Sequence, residues 1–187
     1  MKASARARVL AGMALQHGWR NLAELGVLHG RTTEHLLATC PELRVIAVDT
    51  WEQGDVALEP PAGVRRGPDD DGYRAYADVA MEDAYEWVQG LAARYPRRLQ
   101  VLRMGTLSAA ERMVPDSLDA IFLDADHRAE SVKADIRAWA PAVRRGGWLT
   151  GHDANHHSVR AALDDVCPGY LLYDGDVWAI PRSRVQA

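Results

Sequence analysis

The chain lacks most of the features that tie a protein to a special environment. It has only two cysteines in 187 residues, Cys40 and Cys167. They lack C-x-x-C spacing, which argues against a disulfide framework or a thiolate zinc site and leaves two small apolar residues suited to a core. Basic charge is not in excess: the formal net charge is -4, so no surface would gain by releasing the counterions of a nucleic-acid backbone. No apolar run approaches the roughly 20 residues that a membrane span needs. There is no internal repeat, no low-complexity tract and no second domain boundary. With 48% hydrophobic and 26% charged residues, the composition is globular, and the length fits one domain over 1–187.

The start, "MKASARARVLAGMALQHG", is basic and then apolar, as a secretory signal would be. Gly12, Gln16 and His17 interrupt the apolar run, while Val9, Met13 and His17 recur every four residues, so the pattern predicts a leading amphipathic helix over 1–18. A cytoplasmic protein is the expectation. The next segment, "NLAELGVLHGRTTEHLL", reads as strand, glycine-bearing turn and helix. Gly26 and Gly30 bracket the turn, but the middle glycine of the dinucleotide fingerprint G-x-G-x-x-G is missing.

Further on, "LRVIAVDTW", "LQVLRMG", "LDAIFLDADH" and "GWLTGHD" read as buried strands alternating with helical segments. The helical stretch from about Tyr73 carries Tyr76, Ala80, Ala84, Trp87 and Leu91 and reads as core-facing. The helix after the fourth strand carries Val132, Ile136, Trp139 and Val143 and is expected to end at "RRGG". "YLLYDGDVWAIP" reads as two strands turned at Asp174 and Gly175. Residues 52–72, rich in Pro, Gly and Asp, form a long loop that suits a lid, with disorder the plain alternative. The order is that of a wound α/β sheet closed by an antiparallel hairpin, whose ligands lie at the carboxyl ends of the strands. Those ends hold Glu24 and Gly26, Asp49, Gly105 and Thr106, Asp124 with Asp126 and His127, and His152 with Asp153. One acid after a strand is as readily a cap or turn residue, but five polar strand ends point to a site.

"AELGVLHGRTTEHLL", "VIAVDTW" and "DAIFLDADHRAESVKADIRAWAPAVRRGGWLTGHD" resemble the class I S-adenosylmethionine-dependent methyltransferases, in particular small bacterial O-methyltransferases of the macrocin and catechol type. The likeness spans about residues 20–180. It implies a Rossmann-like sheet of about seven strands, mostly parallel with the last antiparallel, and helices on both faces. It further implies that Glu24, Gly26 and Gly30 lie near the amino-acid portion of S-adenosylmethionine and that Asp49 takes the ribose hydroxyls. Thr50 and Trp51 would flank the adenosine, and Gly105 and Thr106 the adenine edge. For Trp51, packing on the core is an equal reading.

The resemblance also implies chemistry at the later strand ends. Asp124 and Asp153 would share a divalent ion such as Mg²⁺, which lowers the pKa of an acceptor hydroxyl. His127, in a D-x-x-H pattern with Asp124, is the candidate base. Asp124 thus counts toward catalysis, cofactor and metal together. Where metal-dependent relatives have a second acid or amide, this chain has Ala154, so Asn155 is the candidate third ligand. His152, His156 and His157 follow one another in a loop and point in different directions, which speaks against zinc. The expected acceptor is a hydroxyl on a small molecule or sugar, and a homo-oligomer stays open. Two alternatives remain. An NAD-dependent oxidoreductase is disfavoured by the missing glycine and the lack of a Tyr-x-x-x-Lys pair; the other is a cofactor-binding scaffold without catalysis.

Overall fold

The structure, a computed structural model, describes residues 4–52, 80–174 and 176–186. The candidate lid beyond Glu52, the stretch around Tyr73 and Tyr76, and Gly175 of the expected turn lie outside these residues. The first half runs α1 (Ala5–His17), β1 (Asn21–Leu25), α2 (Arg31–Thr39) and β2 (Arg44–Asp49). The middle adds α3 (Met81–Arg94), β3 (Leu99–Arg103), α4 (Thr106–Ala110), β4 (Leu118–Leu123) and α5 (Ala129–Trp139). The last part is β5 (Val143–Gly151), α6 (His157–Val166), β6 (Leu171–Tyr173) and β7 (Val177–Pro181). Among the described residues no helix is long and apolar enough to cross a membrane.

The strands form one seven-stranded sheet in the order β3-β2-β1-β4-β5-β7-β6. β1 to β5 pair in parallel, and β7 runs antiparallel to both β5 and β6. The expected wound, Rossmann-like sheet is therefore present. The chain moves outward from β1 to β3, then returns to lay β4 on the other side of β1. The carboxyl ends of β1 and β4 thus flank the point where strand order reverses, where such sheets open a crevice.

Alternation along the strands decides which side chains face which helices. Leu22, Ala47 and Phe122 pack with Leu10 of α1, Leu36 of α2 and Val88 of α3. Leu25, Val48, Ile121 and Leu123 pack on the opposite face with Ile136 of α5 and Leu163 of α6. By the same parity Glu24 falls on the side of Leu22, and Asp124 continues the side of Phe122. Both acids therefore face α1 and α2. Cys40 and Cys167 are buried free thiols, as read from the sequence.

Three local expectations need correction. In α1, the buried stripe is Ala7, Leu10, Ala11 and Ala14, with Met13 beside it. Val9 is only partly buried and His17 is exposed, its ring lying 5.0 Å from that of Trp148. Ser4 caps this helix by accepting the Ala7 N–H. Trp87 is not core: it is 53% exposed, because Ala84, Val88 and Leu91 form the inward face of α3. Finally, "RRGG" does not end α5. Pro141 enters a 3-10 turn directly after Trp139, and Arg144 to Gly147 already belong to β5. The β4–β5 register shifts between Leu118 and Ala120, and the extra residues fit because Gly146 adopts a left-handed φ of 80°.

The bulge brings Arg144 to Asp119. The Asp119 carboxylate accepts Arg144 Nε at 2.6 Å and the N–H groups of Arg20 at 2.6 Å and Asn21 at 2.8 Å. Burial pushes its carboxyl up, but these donors outweigh burial and hold it below its ordinary value. A depressed carboxylate stabilises the fold above its unfolded pKa and loses that contribution as pH falls through the folded value. Asp119→Asn is expected to cost about 2 kcal/mol near neutral pH, the range for hydrogen bonds to a charged group. Urea midpoints should show the two proteins converging as the pH falls below about 4.

Candidate active site

The site begins where β1 and β4 end. Gly26 has φ 87°, and a Cβ there would lie 2.2 Å from the Asp124 carbonyl oxygen and 2.7 Å from the Ala125 Cα. The Gly26 N–H donates to Val48 O at 2.9 Å, and the Asp124 N–H to Leu25 O at 2.7 Å. The missing side chain admits the β4 backbone. Gly30 caps α2 with φ 64°, and its Cβ would meet Val88 and Leu91 side chains at 3.0 Å. It too is shaped by protein packing. Gly105 differs: among the described residues nothing lies within 4 Å of its Cβ position, so they leave open space before α4.

At the end of β2, Asp49 clamps the turn after β1. Its Oδ2 accepts the N–H groups of Val27 at 2.8 Å and Leu28 at 2.9 Å, and its Oδ1 accepts the Trp51 N–H at 2.8 Å. The Trp51 indole donates back to Leu28 O at 2.9 Å. Leu28 and Trp51 both sit in the left-handed region, with φ 48° and 47°. Trp51 is 2% exposed and its ring lies 5.1 Å from Tyr85, so the core reading holds for it. A carboxylate has about four acceptor positions. Among the described residues Asp49 uses three on the backbone, which leaves one position on Oδ1.

Thr50 is half-buried and its carbonyl accepts Arg103 Nε at 3.3 Å. Thr106 turns away from the crevice. Its hydroxyl donates to Asp135 at 2.6 Å, and its carbonyl accepts the Trp139 indole at 3.1 Å. Burial pushes Asp135 up to about 6.

Glu24 is buried beneath the turn and accepts the Thr33 hydroxyl. Burial raises its pKa to about 8; Asp124 and Asp49 add to the rise, and Thr33 and Arg6 oppose it. The rise favours its neutral carboxylic acid form.

The second group of side chains gathers at the ends of β4 and β5. Asp153 sits in the left-handed region, with φ 58°. Its Oδ2 lies 2.6 Å from His127 Nε2 and 3.1 Å from His152 Nδ1. His152 Nδ1 is also 3.6 Å from Asp124 Oδ1, and its Nε2 is 3.1 Å from Asp176 Oδ2. Arg6 of α1 closes the cluster, with its guanidinium 3.0 Å from Asp124 Oδ2. Burial pushes Asp124 up to about 6, with Arg6 and His152 opposing the rise. Burial acts the same way on Asp153, yet its two histidines hold it well below the usual carboxylate range. His127 is held above its ordinary value: burial lowers it, but the Asp153 bond and nearby acids prevail. Asp126 faces elsewhere, bonding Arg128 and Ser131 at the start of α5.

Asp124, Asp153 and His152 offer one ligand atom each within 4.8 Å of one another, so the donor set fits a divalent ion. Asp176 behind the second His152 nitrogen is the outer carboxylate that commonly orients a ligating imidazole. Asn155 is exposed on the turn beyond, while Ala154 is buried. The residue that converges with Asp124 and Asp153 is thus His152, where the sequence reading had named Asn155. Sequence reading placed His152 at a strand end without assigning it, and it missed Asp176 and Arg6. Asp176 was accessible in principle: Gly151 pairs with Trp178 in the antiparallel β5–β7 register, which carries Asp176 to a place opposite Asp153. Nothing in the sequence ties Arg6 to Asp124 across 118 positions.

A family model described as a methyltransferase domain matches residues 23–154. Among solved structures, the chain is similar to one named for a caffeoyl-CoA O-methyltransferase of Staphylococcus aureus, at 14% identity and TM-score 0.63, covering 100% of this chain and 85% of that one. It is also similar to an O-methyltransferase of Bacillus cereus in complex with SAH, at 18% identity and TM-score 0.60, covering 97% and 82%. A third is the 1,6-didemethyltoxoflavin-N1-methyltransferase of Burkholderia thailandensis, at 16% identity and TM-score 0.51, covering 81% and 53%. These likenesses are of fold. No curated protein sequence matches the chain.

Two outcomes follow from the β1 end. A buried acid with a raised pKa stabilises the fold least where its unfolded form is ionised, so stability should fall as pH rises from about 4.3 toward the folded value of about 8. Glu24→Gln is expected to remove that slope, up to about 1.4 kcal/mol per pH unit. Denaturation curves at about pH 5.5 and about pH 7.5 compare the two slopes. Gly26→Ala is expected to lower the melting temperature by the equivalent of several kcal/mol, because its Cβ meets backbone atoms that cannot step aside. A melting curve matching the wild type would show that the β1 and β4 ends separate freely.

Proposed function

The chain belongs to the methyltransferase-domain family, and from that premise we propose that it is an S-adenosylmethionine-dependent O-methyltransferase acting on a hydroxyl of a small molecule or sugar. The observation that carries the reading is the His127–Asp153 pair, 2.6 Å apart, beside Asp124 at the reversal point of the sheet. An oxidoreductase is set aside by the family match.

The residues of the first three strand ends fit the cofactor. Asp49 retains one acceptor position for a ribose hydroxyl, the space at Gly105 is open for the adenine edge, and Glu24 lies beneath the amino-acid end. Burial raises both Glu24 and Asp124, with Asp124 adding to the rise at Glu24 and Asp153 to the rise at Asp124, so a cationic ligand relieves them.

His127 donates Nε2–H to Asp153, which fixes the tautomer and leaves Nδ1 free to take the proton of an acceptor hydroxyl. Asp153 stays ionised throughout and stabilises the imidazolium that forms. Loss of that proton makes the oxygen a competent nucleophile toward the sulfonium methyl, and holding the two in line supplies much of the acceleration. A divalent ion held by Asp124, Asp153 and His152 would lower the pKa of the same hydroxyl. With an imidazole nitrogen among its donors, that set suits a transition ion such as Mn²⁺ better than the Mg²⁺ expected from oxygen ligands alone.

His127→Ala is expected to lower turnover by about 10²–10⁴-fold, the usual loss of a positioned base, while calorimetric affinity for S-adenosylmethionine holds. The acid limb of the wild-type profile should lie above the ordinary histidine value of about 6.5, because the pKa is raised, and should vanish in the variant. The measurement is methyl release over a panel of catechols, sugars and hydroxylated metabolites. Tight cofactor binding with no product from any acceptor would favour the scaffold alternative.

A further inference from the structure

We propose that Arg6 and a divalent ion are alternative occupants of the Asp124–His152–Asp153 cluster, so that the first turn of α1 determines whether the ion enters. The proposal rests on the reading of those three residues as the ion site. The Arg6 guanidinium lies 3.0 Å from Asp124 Oδ2 and 3.5 Å from His152 Nδ1. Asp124 and His152 are two of the three residues whose donor atoms converge within 4.8 Å. A guanidinium carries only N–H donors and a fixed charge. It therefore engages the lone pairs an ion needs and repels the ion from the same point.

Two further observations make Arg6 displaceable rather than a permanent counter-ion. Its Nε is buried without a hydrogen-bond partner among the described residues, so departure lets an orphaned N–H reach water. Its side chain is 29% exposed, and it stands in the first turn of a helix held there by the Ser4 cap, where helices open most readily. Asp124 and Asp153, by contrast, are anchored at strand ends and cannot follow it outward.

The test is Mn²⁺ titration of the purified full chain by calorimetry, for the wild type, Arg6→Met, Arg6→Lys and Asp124→Asn. Arg6→Met is expected to bind Mn²⁺ about tenfold tighter or more, because the fraction of molecules open to the ion rises. Arg6→Lys keeps a cation in place and should stay close to the wild type, while Asp124→Asn should lose binding. Amide hydrogen exchange on the wild type gives a second readout that does not depend on a variant folding. Saturating Mn²⁺ should speed exchange in the first turn of α1 and leave α2 unchanged. Equal Mn²⁺ affinity in the wild type and Arg6→Met, with loss in Asp124→Asn, would overturn the exclusion while leaving the ion site standing. No binding in any of the proteins would overturn both.

Discussion

The close approach of Gly26 to the Asp124 carbonyl is the constraint on which the rest of the crevice depends. It joins the carboxyl ends of β1 and β4, backbone on backbone, where the order of the sheet reverses. Strand parity then sends Glu24 and Asp124 toward the same helices, and the clamp from Asp49 draws the β1 turn down beside them. Acids are thereby gathered in a region with little water. Charges of one sign cannot all ionise there, and Glu24 and Asp124 respond with raised pKa values.

Asp124 and Asp153 stand at neighbouring strand ends, yet their environments drive them in opposite directions. Asp124 is buried and answered mainly by Arg6. Asp153 is held between two imidazoles and stays ionised. Divergence of this kind commonly separates roles within a site. Here the more strongly ionised member orients His127 and His152, and the member nearer neutrality meets Arg6. His152 links the two, with Asp176 fixing its far nitrogen.

Much of this was legible in the sequence. Apolar runs ending in acids marked β1, β2, β4 and β5, since a buried parallel strand has few other ways to finish, and the acids are where the runs place them. The hairpin was legible from its turn residues. Arg144 to Gly147 misled because a basic, glycine-rich end to a helix and a glycine bulge at the start of a strand use the same residues. Gly26 and Gly30 show a different limit: a glycine reports close approach but not what approaches, and the sequence did not show that β4 and α3 approach these two. Trp87 failed because helical spacing alone does not say which face of α3 turns inward. Arg6 was beyond reach, since its partner is chosen by how α1 docks on the sheet.

The corner where Leu28 and Trp51 meet has an implication for how such a chain can diverge. Each residue holds a left-handed backbone that costs a non-glycine residue roughly 1–3 kcal/mol, and each is held there by the other through the indole–carbonyl bond and the shared Asp49 carboxylate. Loss of the indole leaves Leu28 strained without its restraint, and relaxation at Leu28 leaves a buried indole N–H unpaired. Change at one position is therefore expected to require change at the other. A lineage that gives up tryptophan at 51 is expected to carry glycine or asparagine at 28, and the two changes should appear together along its branches.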